Sequence, residues 1–266
     1  MREETSRGGC GRTLLNLLMA ATIFVCGVKV GAHNPDFLSD LAYAAGKKFS
    51  HLRDSRPVVV IDAGHGGEDP GAQGLIDESA LTADTARALF GILTEDGRFQ
   101  VFYTHTPGEG AAIQERYAAS NAHYPDLLIS IHANSDPAGE GRGFECYPTP
   151  PGRKDHEESL RMAALTIDAF TELGVPIRGE NGIRYAYYDA NDEKYITESS
   201  DTSVHSDPSF GLLEKSRCPT LLMEQCFVTN SSDVALLSGE EGTMRAANAY
   251  YKAICGFFEE ELSSGS

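Results

Sequence analysis

The sequence predicts a single α/β domain built on a mostly parallel (mixed) sheet of about six strands, flanked by helices on both faces. Residues 58–61 (VVVI), 126–134 (DLLISIHAN) and 220–224 (TLLME) are short apolar runs of the kind buried on both faces of a parallel sheet. Segments with apolar residues at helical spacing separate them. Each run also delivers a polar group at its carboxyl end, His65, His132 and Glu224 in turn. In open α/β sheets, ligands bind beyond the carboxyl ends of the strands.

The N-terminus stands apart. Arg2, Arg7 and Arg12 precede an apolar run of 15 residues, 14–28, closed by Lys29. That length is short for a membrane span and suits the core of a signal peptide, with Val30-Gly31-Ala32 as a small-residue cleavage site. A membrane anchor through residues 13–28 is the competing reading. Phe24 and Val25 are too bulky to make Cys26 a lipid-attachment site. Residues 1–32 are therefore read as signal peptide or anchor, 33–56 as a linker or short helix, and 57–262 as the domain proper. On either reading the body is exported, to the cell wall, the periplasm or the exterior.

Of 266 residues, 41% are hydrophobic and 23% charged, as in ordinary globular proteins, but the net charge is -17. Residues 33–266 hold 18 Lys and Arg against 37 Asp and Glu, a net -19. Such a chain repels nucleic acid and other polyanions. The six cysteines include no Cys-x-x-Cys pair, which excludes the common zinc-finger spacings. Cys146, Cys218, Cys226 and Cys255 lie in the body, where an oxidising compartment would let them pair in a pattern the sequence does not specify.

Between residues 62 and 70 the chain reads DAGHGGEDP, a glycine-rich loop carrying His65. Asp77 or Ser79 caps a helix reaching to about Leu93, with Glu78 at its first turn, where the helix dipole favours an acid in any case. Residues 99–104 form a second strand ending at Thr104-His105, and residues 113–121 a helix carrying Arg116. A strand over 143–147 and a helix over 156–173 follow. Residues 183–210, rich in Tyr, Asp, Ser and Thr with weak periodicity, read as a long loop of the kind that lines binding sites. A C-terminal helix carries Met244, Ala247, Tyr251, Ile254 and Phe258.

His65, Glu78 and His132 fall at one edge of the predicted sheet. Two histidines and a glutamate are a known ligand set for hydrolytic zinc, which keeps a fourth position open. Glu224, at the end of the last strand, is placed to carry a proton from water to a leaving nitrogen. The spacing is not that of a compact H-E-x-x-H helix, so the bland readings stand beside it: a glycine turn with a surface histidine, or a Glu224 paired with Arg217 or Arg245. Asp62 is expected to orient His65 through its second ring nitrogen. His105 lines the site or is a satisfied surface histidine, and Asn134 shapes the loop or touches substrate. Strand alternation puts Cys226 on the same face as Glu224, near the metal position, or leaves it a small buried hydrophobe.

The words VVVIDAGHGGEDPGAQG, DLLISIHANS and PTLLMEQCFVTN, with an acidic residue opening the helix between the first two, resemble the zinc-dependent N-acetylmuramoyl-L-alanine amidases of type 3. The resemblance covers residues 58–257. It implies Zn²⁺ held by His65, Glu78 and His132, Glu224 as the catalytic carboxylate, and peptidoglycan or muropeptides as substrate, cut between the lactyl group of muramic acid and L-alanine. It leaves open whether a protein activator is required. Three departures stand out: His105 where members usually have Arg, Cys226 where Gly is common, and residues 183–210, which match poorly. A carboxypeptidase-like zinc peptidase and a non-catalytic wall-binding module are the alternatives.

Overall fold

The computed structural model describes residues 36–264. The apolar run at 14–28 lies outside the described residues. Among those described, no helix is long and apolar enough to cross a membrane. Residues 36–55 fall in a unit of their own, a helix α1 (Phe37–Arg53) with Leu38, Leu41, Phe49 and Leu52 exposed. The body runs from Arg56.

The body follows the order β1 (Val58–Ala63), α2 (Glu78–Asp96), β2 (Gln100–Tyr103), α3 (Ile113–Ala122), β3 (Leu127–Asn134), β4 (Glu145–Pro148), α4 (His156–Glu172), β5 (Arg184–Tyr188), β6 (Lys194–Glu198), α5 (Gly211–Lys215), β7 (Thr220–Phe227), α6 (Ser231–Leu237) and α7 (Gly239–Ser264). The central sheet has five strands in the order β2-β1-β3-β7-β4. The first four are parallel and β4 closes the edge antiparallel to β7. The mixed, mostly parallel sheet with helices on both faces is as expected, with five strands where about six were foreseen.

The apolar runs explain the layering. Alternate residues of the central strands, including Ile61, Ile129 and Met223, join Leu89 of α2, Phe170 of α4 and Tyr250 of α7 in the main core. Val58, Val60 and Leu128 point to the other face, against Leu212. Burying each such side chain is worth about 1.5–3 kcal/mol. Gly97, at φ 74, ends α2 in the left-handed conformation that glycine accepts.

Two expectations need correction. Residues 183–210 are not a structureless loop. They hold an antiparallel ribbon in which β5 pairs β6, Tyr187 opposite Tyr195. Its alternation is masked because tyrosines occupy both faces, and its turn is held by Asp189, whose carboxylate accepts from the amides of Asn191 and Glu193. The four body cysteines are free thiols, three of them buried. Cys146 and Cys226 are in the main core, Cys255 packs against it, and Cys218 lies on the opposite face.

Candidate metal centre

The parallel register builds the site. His132 lies opposite Glu224 and Glu224 opposite Glu145, a row crossing β3, β7 and β4. Asp62, Ser130 and Leu222 form a parallel row two residues earlier. Side chains two apart share a face, so both rows contribute to one cleft of about 430 Å³ that also holds His65 and Arg116.

Glu78, 3% exposed, sits at the centre. Its Oε1 lies 3.0 Å from Nδ1 of His132 and its Oε2 3.2 Å from Nε2 of His65. Ligand atoms of His65, Glu78 and His132 all fall within 4.8 Å of one another, a spacing that would admit one metal ion. The carboxylate is fixed in place by the amides of Ala72, at 2.8 Å, and Ala133, at 2.9 Å. Two glycines make room. A Cβ on Gly64 would stand 2.6 Å from the His132 ring, and one on Gly71 2.6 Å from Glu78 Oε2. The donor set thus fits a metal of the zinc class: two partly exposed imidazoles and one buried carboxylate, with the other His65 nitrogen already spoken for.

That other nitrogen departs from expectation. Nδ1 of His65 bonds Asp69 at 2.8 Å, not Asp62. Asp62 lines the same cleft but is taken up by other partners, accepting from Thr104 Oγ1 at 2.5 Å and Ser130 Oγ at 2.8 Å, with Arg116 Nη1 at 3.3 Å. Its carboxylate is engaged within the sheet, while His65 has already left the strand. Only Asp69's position four residues after His65 in GHGGEDP could have flagged it. His105 is 8% exposed, bonded to Thr104 Oγ1 through Nδ1 at 2.9 Å and 3.7 Å from Asp62. Asn134 donates to Glu145 at 2.6 Å, outside the His–Glu–His cluster.

Cys226 is also displaced from where alternation puts it. Two steps along β3, from His132 to Asn134, oppose three along β7, from Glu224 to Phe227. The extra residue is a β-bulge, which reverses the facing of everything after it. Leu221 and Met223 before the bulge and Cys226 and Val228 after it all join the main core, while Glu224 and Phe227 face a cleft. Gln225 is buried at the bulge, donating to the carbonyl of Leu237 and accepting from Tyr250.

The electrostatics follow from burial and proximity. The hydrogen bond that His65 donates to Glu78 raises His65 to about 9, against the opposing effect of burial. Burial alone would raise Glu78, but hydrogen bonds from His132 and His65 hold it well below the usual carboxylate range. Glu224, half-buried, is pushed up to about 7 by desolvation. Among the described residues its Oε2 has no hydrogen-bond partner, and no arginine pairs with it.

The sequence profile of Amidase_3, N-acetylmuramoyl-L-alanine amidase, matches residues 59–256. The chain belongs to this family. It is thereby placed among the peptidoglycan amidases, a class of hydrolytic enzymes. YqiI, an uncharacterized protein of Bacillus subtilis (strain 168), is 30% identical over 204 residues, 76% of this chain and 85% of YqiI. AmiC of Neisseria meningitidis, an N-acetylmuramoyl-L-alanine amidase, is 26% identical over 214 residues. That match covers 73% of this chain but 51% of AmiC, so the chain spans about half the length of that relative. The catalytic domain of CwlV from Bacillus (Paenibacillus) polymyxa var. colistinus has the same fold, with TM-score 0.61 at 24% identity over 76% of this chain and 98% of that one.

Proposed function

We propose that this amidase is zinc-dependent and exported, and that it cuts the amide between the lactyl group of N-acetylmuramic acid and L-alanine of the stem peptide. The observation that carries the reading is Glu78, whose two oxygens draw His65 and His132 into one donor cluster directly beside Glu224. His65 through Nε2, His132 through Nδ1 and Glu78 through its carboxylate would hold the ion. Zn²⁺ there supplies Lewis acidity, polarising an amide carbonyl and bringing the pKa of water to about 7.

The chain's own residues supply the rest. Asp69 fixes the tautomer of His65 so that Nε2 is the free donor. Arg116 holds the backbone around it, donating to the carbonyls of Ala63 and His65. Glu224 has an unsatisfied buried oxygen and an elevated pKa, which suits it to take a proton from the attacking water and deliver it to the nitrogen of the departing L-alanine. The C–N bond breaks, the lactyl carbonyl leaves as a carboxylate, and the stem peptide leaves with a free amino end. Ile113, Phe210, Leu212 and Leu222 add apolar surface to the lining of the same cleft.

The test is digestion of purified peptidoglycan with and without a chelator, read by mass spectrometry. Intact stem peptides beginning at L-alanine, lost with chelator and restored by Zn²⁺, are expected. Release of single amino acids would replace the amidase with a peptidase. Bound zinc and wall without cleavage would leave a binding module.

A further inference from the structure

Glu224 borders a second cleft, of about 330 Å³, that the reaction derived above does not use. Its base is Glu145, opposite Glu224 in the β4–β7 ladder and 1% exposed. Three donors surround this buried carboxylate: Asn134 Nδ2 at 2.6 Å, Arg184 Nη1 at 2.8 Å and Arg178 Nε at 3.5 Å. Arg184 Nε also lies 2.9 Å from Glu198 Oε1, but off the angle of a hydrogen bond, so that N–H stays unsatisfied. A guanidinium carries five N–H donors. Both arginines therefore keep donors in hand after Glu145 is satisfied.

Lys194 lines the same cleft without an ion-pair partner among the described residues. It also lines the first cleft, so it stands where the two meet at Glu224. The remaining acid on this wall, Asp136, is occupied by its own loop, accepting from the amides of Ala138, Glu140 and Gly141. The cations Arg178, Arg184 and Lys194 face the acids Glu145, Asp136, Glu224 and, paired with Arg184, Glu198, so the wall carries no positive excess. What it offers a ligand is N–H donors: those of Lys194, and those of the guanidinium groups that Glu145 does not use.

The geometry points to a carboxylate-binding subsite, in which Arg178, Arg184 and Lys194 hold a free carboxylate of the stem peptide while its N-terminal amide lies at Glu224. The inference rests on the amidase reading for its substrate. Its physical basis is pre-organisation. Glu145 fixes both guanidinium groups, and Arg178 also stacks over the Phe227 ring at 4.7 Å. Their planes are thus set before a ligand arrives, which suits forked recognition of a carboxylate and reduces the ordering cost of binding. Two of the three cations come from the region of β5 and β6, the part of the chain that departs most from the family's sequence pattern.

The test compares two muropeptides, one with free stem carboxylates and one with the same carboxylates amidated, on the full chain. Arg178→Met and Lys194→Met are made singly and together, and Arg184 is left in place because its loss would strand Glu145. The wild type is expected to prefer the acidic muropeptide by about tenfold in kcat/KM, and the double variant to bring that ratio close to one. No preference in the wild type, or the same ratio in the variant, would overturn the subsite. Calorimetric titration with the free stem peptide, acidic and amidated, keeps the two readings separate. If neither muropeptide is cut, the amidase reading fails. The subsite still stands if the acidic peptide binds wild type about tenfold more tightly than the double variant, and falls if the two bind it alike.

Discussion

Arg116 donates from Nη2 to the carbonyl oxygen of His65 at 2.9 Å. Its Nη1 reaches the carbonyl of Ala63 at 2.6 Å and Asp62 at 3.3 Å, so one guanidinium ties the end of β1 to the loop that carries the proposed metal ligand. His65 needs that support. Its φ of 61 is in the left-handed region, a conformation that costs a residue with a side chain about 1–2 kcal/mol. Arg116→Ala strands a buried Asp62 and two carbonyls, and is expected to cost about 3–5 kcal/mol in urea denaturation. Chelator competition should show weaker zinc retention as well. Arg116→Lys should restore the charge without the fork, recovering stability more than affinity. Wild-type zinc affinity in the alanine variant would mean that the loop holds His65 by itself.

The close approaches at Gly64 and Gly71 give a second expectation. Gly64→Ala puts a methyl group against the His132 ring, and Gly71→Ala puts one against Glu78 at a φ of 65. Both should fold less stably, by about 1–3 kcal/mol. Both should also bind less than one zinc per chain under conditions where the wild type is saturated. Metal analysis of the folded fraction separates this from simple misfolding.

Glu224→Gln removes the proton carrier while keeping its shape. Turnover is expected to fall by about 10² to 10⁴, with zinc stoichiometry unchanged. Retained turnover would sink the role. The same variant carries a stability signature. Because the folded pKa of about 7 lies above the ordinary carboxylate value, ionising Glu224 destabilises the metal-free fold, increasingly from about pH 4.5 up to 7 and constantly above that. The glutamine variant should thus melt above wild type at pH 8 and level with it at pH 4, by on the order of 1 kcal/mol once its partial exposure is allowed for.

Chelation and pH should interact. With no metal, His65 is protonated at neutral pH and bound to Glu78. Its raised value means the pairing stabilises fully below about 6.5, and that stability is lost as pH rises through about 9. Chelated protein is therefore expected to lose melting temperature between pH 7 and 9. Zinc-loaded protein should hold its melting temperature there, and its zinc affinity should fall as pH is lowered, since protons compete for the same nitrogens. A flat profile for the chelated protein would show that the His65–Glu78 pair contributes nothing to the fold.

Much of this was readable in the sequence because it rests on short-range pattern. The runs at 58–61, 126–134 and 220–224 are dominated by Val, Ile and Leu, which marks strands covered on both faces, and the polar residues at or just after their carboxyl ends are conspicuous for that reason. Glu78 was readable as the first residue of an amphipathic helix. What escaped depends on geometry that has no local signal. The choice between Asp62 and Asp69 as partner to His65 turns on where the chain leaves the strand. The ribbon of Arg184 and Lys194 hides behind tyrosines on both faces. Asn134 looks like a turn residue, yet it donates to a glutamate that β4 brings alongside. The bulge in β7 adds one residue without any change in composition.

That bulge has a chemical consequence. By turning residue 226 into the interior, it keeps the Cys226 sulfur away from the working end of the sheet. Burial raises the Cys226 thiol far above its ordinary value, so it is neither a thiolate nor within reach of solvent. Cys146, across the same core, is raised for the same reason. In an oxidising compartment, where peroxide and disulfide-forming catalysts act on accessible thiolates, a cysteine two places from the proposed catalytic carboxylate would be left inert.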